Sequence, residues 1–450
     1  MLKLWLFADT HLYHRETPEE LKEDEKPRLE SGPMLDAALA DFLAQPGCDI
    51  LLIAGDLTHD GHAEEHRALL EKLHRVKSAG KRVVLITATH DFGGHEHIHA
   101  VKEPGVPHPK GKAYREELRG LYEELGFSDA IARCEYDGGM SYVAQLAPGY
   151  RLLCLNDDGD GRAFCGFYEP HMRWILEQIE QAKAAGEVIF AMTHHPSLPP
   201  SPIYPLISKR DMLGSWENCT RRLADAGLRV MFTGHSHMLN INTVTTPEGN
   251  PYWDVNTSSL TGWPGVFRVI ELEGRRMKVT TRAITDYAWD RGGLPVREHL
   301  QRHFDYNLRS AIENAAAGNI EKVAEQAGGF SIEKEFVYKL RLPITAAGKV
   351  LNRLTLGGAG ALLLCHRKIP KSVRQTQVKE LILEIMRNVY AGEEHYAPDT
   401  PTGQALLAMA GRVNSLLKKK LASSPIGSLQ DFLQSLIYDP TPDDYLEIVL

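Results

Sequence analysis

The residue pattern predicts a layered α/β domain followed by a helical region. Through residue 240, short apolar runs alternate with amphipathic stretches at helical spacing. From 241 to 283 the apolar runs follow one another with no helix between them, which predicts a second, partly antiparallel sheet. Beyond residue 296 nearly every apolar repeat is helical. Strands alternating with helices bury both faces of a sheet only if the helices form outer layers.

In chain order, Leu-Lys-Leu-Trp-Leu-Phe-Ala at 2–8 reads as a buried strand. Apolar residues at 35, 38, 39, 42 and 43 predict a helix over 33–45, with Pro33 in its first turn and Pro46-Gly47 ending it. A strand follows at 49–54. A helix is expected over 62–79, with Leu69, Leu70, Leu73 and Val76 on one face, then a strand at 82–87. The stretch from 92 to 137 is irregular, with one helix at 113–125 stopped by Gly126. Strands are expected at 141–146, 151–155, 187–192 and 229–233, and helices at 170–185 and 216–226, closed by Gly186 and Gly227. The late strands are 241–245, 252–256, 265–272 and 276–283. Asp290-Arg-Gly-Gly-Leu-Pro295 reads as a linker, so the expected division is a catalytic domain at 1–286, a linker at 287–296 and a helical domain at 297–450. Within the last, residues 378, 381, 382, 385, 386 and 389 form one apolar stripe and 406, 409, 410, 413, 416 and 417 another; Ser428 with Asp431 starts a final helix.

At 450 residues with 43% hydrophobic and 24% charged side chains, the chain has the composition of a soluble globular protein of two or three domains. No run approaches the length of a membrane span, and Asp9 interrupts the first apolar stretch before any cleavage site, so the cytoplasm is expected. The six cysteines are scattered with no Cys-x-x-Cys, which favours buried free thiols. Residues 1–286 carry 31 basic and 41 acidic side chains, a balance that disfavours nucleic acid as an obligate partner. Histidine is unevenly placed: 16 of 20 lie before residue 240.

Those histidines fall where chemistry is done. The predicted strands run into Asp9-Thr-His11, Gly55-Asp56, Thr89-His90-Asp91, Thr193-His194-His195-Pro196 and Gly234-His235-Ser-His237. In α/β sheets ligands bind beyond the carboxyl ends of strands, and here five ends offer Asp or His. The ordered series resembles the calcineurin-like metallophosphoesterase superfamily over the first 285 residues. Gly55-Asp-Leu-Thr-His-Asp-Gly61 and His194-His195-Pro196 resemble its cyclic-nucleotide, class III phosphodiesterase branch more than others.

The resemblance implies a four-layer α/β/β/α sandwich with two mixed sheets, and a centre of two divalent ions (Mn, Fe or Zn) that hydrolyses a phosphoester. Carboxylate oxygen and neutral imidazole suit those metals. By the family motif, Asp9, His11 and His237 would hold one ion and His194 and His235 the other, with Asp56 between them. His90 would donate to the phosphoryl oxygen or the leaving group, and Asp91 would orient His90. The family's Asn before the catalytic histidine is Thr89 here, a shorter and poorer ligand. The second ion site is therefore expected to be weakened or vacant, or completed by water or by His95, His97 or His99.

Other residues have structural readings. His59, His62 and His66 are expected as capping and surface groups, His195 as pocket wall, and Asn156-Asp157-Asp158 as structural. Trp216, Trp253 and Trp263 are expected in core, and Lys418-Lys-Lys420 as a solvated helix end. The expected substrate is a small phosphodiester such as a cyclic nucleotide. A phosphomonoesterase, a nuclease or a lapsed binding module remains the alternative. The helical domain is expected to cover the active-site mouth or to make a homodimer contact.

Overall fold

A computed structural model of the chain describes residues 1–17, 21, 26–92, 111–158, 165–207, 211–328, 334–421, 424 and 426–450. The chain divides into two compact units: Met1–Pro200 with Arg210–Leu300 and Asp443–Leu450, and Ser201–Lys209 with Gln301–Pro442.

The first unit holds the strands β1 (Leu2–Phe7), β2 (Ile50–Ala54), β3 (Arg82–Ile86), β4 (Ala130–Arg133), β5 (Tyr142–Ala147), β6 (Tyr150–Cys154), β7 (Val188–Met192), β8 (Val230–Thr233), β9 (Asn240–Thr245), β10 (Pro251–Asn256), β11 (Val266–Glu273), β12 (Arg276–Ala283) and β13 (Tyr445–Val449). They form two mixed sheets, ordered β13-β12-β11-β1-β2-β3 and β4-β5-β6-β7-β8-β10-β9. β1, β2 and β3 are parallel to one another, as are β6, β7, β8 and β10. Helices α1 (Ser31–Ala44) and α2 (Ala63–Ser78) lie on the first sheet. Helix α3 (Arg115–Leu121) follows the irregular stretch, and α4 (Glu169–Ala184) with helix Trp216–Ala226 covers the second sheet. The result is a four-layer α/β/β/α sandwich.

The layers follow from which faces are apolar. β2 is buried along its whole length, so it needs cover on both sides. Trp5 of β1 stacks on Phe267 with ring centres 4.5 Å apart and tilts against Phe42 of α1 at 5.6 Å. On the second sheet, Met172, Ile175, Ile179 and Ala182 of α4 pack with Leu223 and Ala224 over Leu153, Ile189 and Met231. Polar ties cross between the sheets. Tyr142 of β5 donates to the Leu85 carbonyl of β3 at 2.6 Å. Arg268 of β11, fully buried, donates to Asn256 O at 2.7 Å, Asp443 O at 2.6 Å and Thr281 Oγ1 at 2.6 Å. A buried guanidinium is tolerable only with such acceptors.

The end of the chain departs from the expected helical domain. β13 pairs antiparallel with β12, from Arg276 opposite Val449 to Thr280 opposite Tyr445. Five alternating residues at a sheet edge carry little local signal, and their partner lies far back in the sequence. β4, four residues long, was likewise hidden in the irregular stretch.

The second unit is helical, from the part of helix Val296–Ala317 beyond Leu300 to Leu429–Ile437. Its core gathers Leu356, Ile369, Leu381, Tyr396, Ala405 and Ile437. Ser428 caps the last helix, accepting from Asp431 N at 3.2 Å. The stripe expected up to residue 417 stops early. Ala405, Leu407 and Ala410 are buried, whereas Leu416 and Leu417 are exposed where the helix leaves helical geometry at Leu417. All six cysteines are free, and five are buried. No described helix is long and apolar enough to cross a membrane.

Candidate metal centre

The five strand ends deliver their side chains to one place. Asp9, His11 and His237 present ligand atoms within 4.8 Å of one another; so do Asp56, His194 and His235, and so do His11, Asp56 and His90. Asp56 Oδ2 lies 3.1 Å from His194 Nε2 and 3.8 Å from His11 Nε2, which places it between the first two groups. His237 Nε2 is 3.4 Å from Asp9 Oδ1 and 3.0 Å from His11 Nε2.

The backbone pays a conformational cost to do this. Asp9, His11, Asp56, His235 and His237 have φ of 50°, 38°, 47°, 64° and 57°, five of the seven non-glycine residues with positive φ among the described residues. Each such residue costs on the order of 1–3 kcal/mol and persists only where surrounding contacts overdetermine it. Those contacts are present. Asp9 N donates to Gly55 O at 3.3 Å, His11 N to Asp56 O at 3.0 Å and Thr10 Oγ1 to Leu57 O at 2.7 Å, lacing the first two loops together. The Asp9 carboxylate accepts His235 N–H at 3.0 and 3.1 Å. That approach needs Gly234, because a Cβ there would sit 2.5 Å from Asp9 Oδ2. Gly55, at φ 87°, is needed for the same reason: its Cβ would meet Ala88 Cβ and His194 Nδ1 at 2.8 Å.

The donors fit a pair of divalent ions. His194 donates Nδ1–H to Ala54 O at 2.9 Å, which turns Nε2 toward Asp56 Oδ2 and toward His235 Nδ1 at 3.2 Å. Electron-rich atoms so close repel unless positive charge lies among them. The electrostatics say the same. Burial resists a charge on His194, yet the Asp56 and Asp9 carboxylates lift its pKa to about 10. Burial also opposes ionisation of Asp56, but His194 and His90 hold it well below the usual carboxylate range. His235 is held down to about 4 by burial and His195, and His11 is lowered by burial and His90, which keeps both in the neutral, ligating form. Oxygen and nitrogen donors without thiolate suit Mn, Fe or Zn.

One expected role changes. Asp91 does not orient the His90 ring: His90 Nδ1 donates to the His59 carbonyl at 2.6 Å. Asp91 instead accepts from Thr58 N at 2.9 Å, Thr58 Oγ1 at 3.0 Å and Ala88 N at 2.9 Å, and so fixes the loop that carries His90. Burial and the Asp56 carboxylate push Asp91 up to about 8, which makes it a poor acceptor for an imidazole. Thr89 is buried in the turn Thr89–Asp91, and its hydroxyl has no hydrogen-bond partner among the described residues. His95, His97 and His99 lie outside the described residues.

Three residues given structural or surface readings serve the centre. His66 is fully buried: its Nε2–H donates to Asp91 O at 2.9 Å and its Nδ1 accepts Tyr122 O–H at 2.6 Å. His59 supplies the carbonyl that orients His90. Asp157 accepts from His194 N at 3.1 Å, His195 N at 2.7 Å, Thr193 Oγ1 at 2.8 Å and His195 Nδ1 at 2.9 Å, fixing the loop after β7. His195 packs beside His235 with ring centres 4.2 Å apart, a wall of the site. The only sequence signal for Asp157 was its place just past a strand end.

Residues 2–239, more than half of the chain, match the family of calcineurin-like phosphoesterases. The chain belongs to that family and is a metal-dependent phosphoester hydrolase. Solved structures similar to it include a dimetal phosphatase from Danio rerio, 13% identical, covering 66% of this chain and 98% of that one with a TM-score of 0.45. An NAD nucleotidase from Haemophilus influenzae is 14% identical, covering 63% and 47% with a TM-score of 0.36. A phosphopantetheinyl hydrolase from Mycobacterium tuberculosis is 15% identical, covering 57% and 89% with a TM-score of 0.29. No curated protein sequence matches the chain.

Proposed function

We propose that the chain hydrolyses a small phosphodiester, of the cyclic-nucleotide type, at the centre built by Asp9, His11, Asp56, His194, His235 and His237. The observation that carries this reading is the convergence of those six side chains, five of which (all but His194) project from residues with left-handed φ. Asp9, His11 and His237 would hold one divalent ion and His194 and His235 the other, with Asp56 shared. When bound, such ions neutralise phosphoryl oxygens and lower the pKa of water.

The chain's own residues supply the rest. His90 places a ring nitrogen within 4.8 Å of ligand atoms of His11 and Asp56, and its Nδ1–H is committed to His59 O. The other nitrogen would transfer a proton to a phosphoryl oxygen or to the departing alkoxide. Asp91 and Asp157 hold the two loops in register, and His195 narrows the space beside His235. The runs 55–61 and 194–196 support the diester reading.

The test is Mn-dependent turnover of bis-p-nitrophenyl phosphate beside p-nitrophenyl phosphate. Diester turnover that requires metal, and that falls by about 10²–10⁴-fold in His90→Ala with metal content unchanged, is the expected result. Preference for the monoester would make the protein a phosphomonoesterase. Bound metal with no turnover of either would make it a binding module, the outcome that Thr89 would then explain.

A further inference from the structure

A second cluster of metal-ligating side chains lies apart from the centre. Cys134 follows β4, Asp137 sits in the turn Glu135–Asp137, and His171 is the third residue of α4. Their ligand atoms lie within 4.8 Å of one another, and the residues are 1%, 8% and 3% exposed. We infer that Cys134, Asp137 and His171 form a separate structural site for one divalent cation, with zinc the metal that a thiolate, a carboxylate and an imidazole best suit.

A purely structural reading accounts for Cys134, a buried thiol facing the Tyr136 and Asp137 backbone N–H groups, and for Asp137. Asp137 caps its own turn: Oδ1 accepts from Gly139 N and Met140 N at 3.1 Å each, and Oδ2 accepts from Ser141 N at 2.8 Å. That leaves His171 unexplained. Its Nε2 is buried with no hydrogen-bond partner among the described residues, which is costly for a polar atom. The nearest carboxylate oxygen, Asp137 Oδ2, is 3.7 Å away. That is too long for a hydrogen bond. It is close to the separation of two ligands on one tetrahedral zinc, about 3.4 Å for bonds near 2.1 Å.

Burial sets the protonation states that an ion would meet. Burial holds His171 down to about 4, the neutral ligating form, and pushes Asp137 up to about 6. Burial and Asp137 push the Cys134 thiol up to about 11, so cation binding would release its proton to solvent as the metal–sulfur bond forms. Tyr136, exposed, lies beside His171 with ring centres 6.5 Å apart, and exposed Tyr168 lies against Tyr136. A bound ion would clamp the turn after β4 to the start of α4. The loop just before α4 begins at Asn156 and Asp157, so the clamp would steady the segment that supports His194.

The experiment is a Co²⁺ titration of the full chain, read by thiolate-to-cobalt charge-transfer absorption and by metal equivalents bound. The wild type is expected to show the absorption. Cys134→Ser and His171→Phe are each expected to bind one equivalent fewer, and Cys134→Ser to lose the absorption. Cys134→Asp, which keeps an anionic ligand, should keep the equivalent and lose the absorption. In wild-type protein, Zn²⁺ should also block alkylation of Cys134, and a chelator should restore it. Absence of the absorption in the wild type, its persistence in Cys134→Ser, or equal alkylation with and without Zn²⁺ would each overturn the inference. None of these readouts depends on phosphoesterase activity.

Discussion

The two ligand groups of the candidate centre are built differently. Asp56, His194 and His235 form the enclosed group: Asp56 and His194 are buried, His194 Nδ1 is tied to Ala54 O, and Asp157 fixes the backbone of His194 and His195. Asp9, His11 and His237 form the open group, in which the His237 side chain is 40% exposed and His11 Nδ1 is buried without a hydrogen-bond partner among the described residues. The enclosed group has the His194 ring set before any ion arrives; in the open group hydrogen bonds lace the Asp9 and His11 backbone, while the His237 ring stands partly in solvent. The difference teaches where binding order and solvent access reside. An ion in the open group should exchange faster, and substrate should enter from that side.

The largest effect expected is from Asp56→Asn. Its carboxylate faces both groups, so the variant should lose bound metal at both and show no turnover above background, measured by metal analysis and Mn-dependent diester assay. Retention of one full equivalent would separate the groups and break the comparison. Next come His194→Ala and His237→Ala, both strongly impaired. Free imidazole should restore His237→Ala several-fold, because its place opens to solvent, and should not restore His194→Ala. Equal rescue of both would show that the enclosed group is not enclosed.

Asp157→Asn should act on the enclosed group alone. Groups that orient metal ligands typically contribute about 10–100-fold in metal affinity, and that loss is expected for one of the two ions. Competition with a chromophoric chelator would measure it. The smallest effect on the centre is expected from His66, whose role is to hold the loop of His90. Burial lowers its pKa to about 4, whereas the unfolded chain binds a proton near 6.5. The unfolded state therefore binds more protons between those values. The His66 contribution to stability is whole above pH 6.5 and is lost as pH falls toward 4, by up to about 3 kcal/mol. Urea denaturation at pH 7 and pH 4.5 should show this loss in the wild type and a smaller one in His66→Gln.

The candidate ligands were legible because the chemistry sits at strand ends, and strand ends are marked by where an apolar run stops. Asp9, His11, Asp56, His90, His194, His235 and His237 all follow such a stop directly. The residues that support them were not legible, because their partners come from remote segments. His66 reaches Asp91 25 residues on and Tyr122 56 residues on, and Asp157 reaches His195 across 38. Asp91 was misread for the same reason, since adjacency to His90 says nothing about where a carboxylate turns. The cluster of Cys134, Asp137 and His171 joins a hairpin turn to a helix with no spacing that announces a site.

By itself the sequence determined the alternation of strands and helices, the class of the first unit and the residue types at five strand ends. Those are local properties, written in periods of two and 3.6 residues and in the breaks between them. Tertiary structure alone decided which residues support the ligands, which glycines must lack a Cβ, and that β13 returns to the sheet beside β12. Each of those depends on contacts between segments far apart in the chain. Left-handed backbone at Asp9, His11, Asp56, His235 and His237 is stable only because all of those contacts form at once.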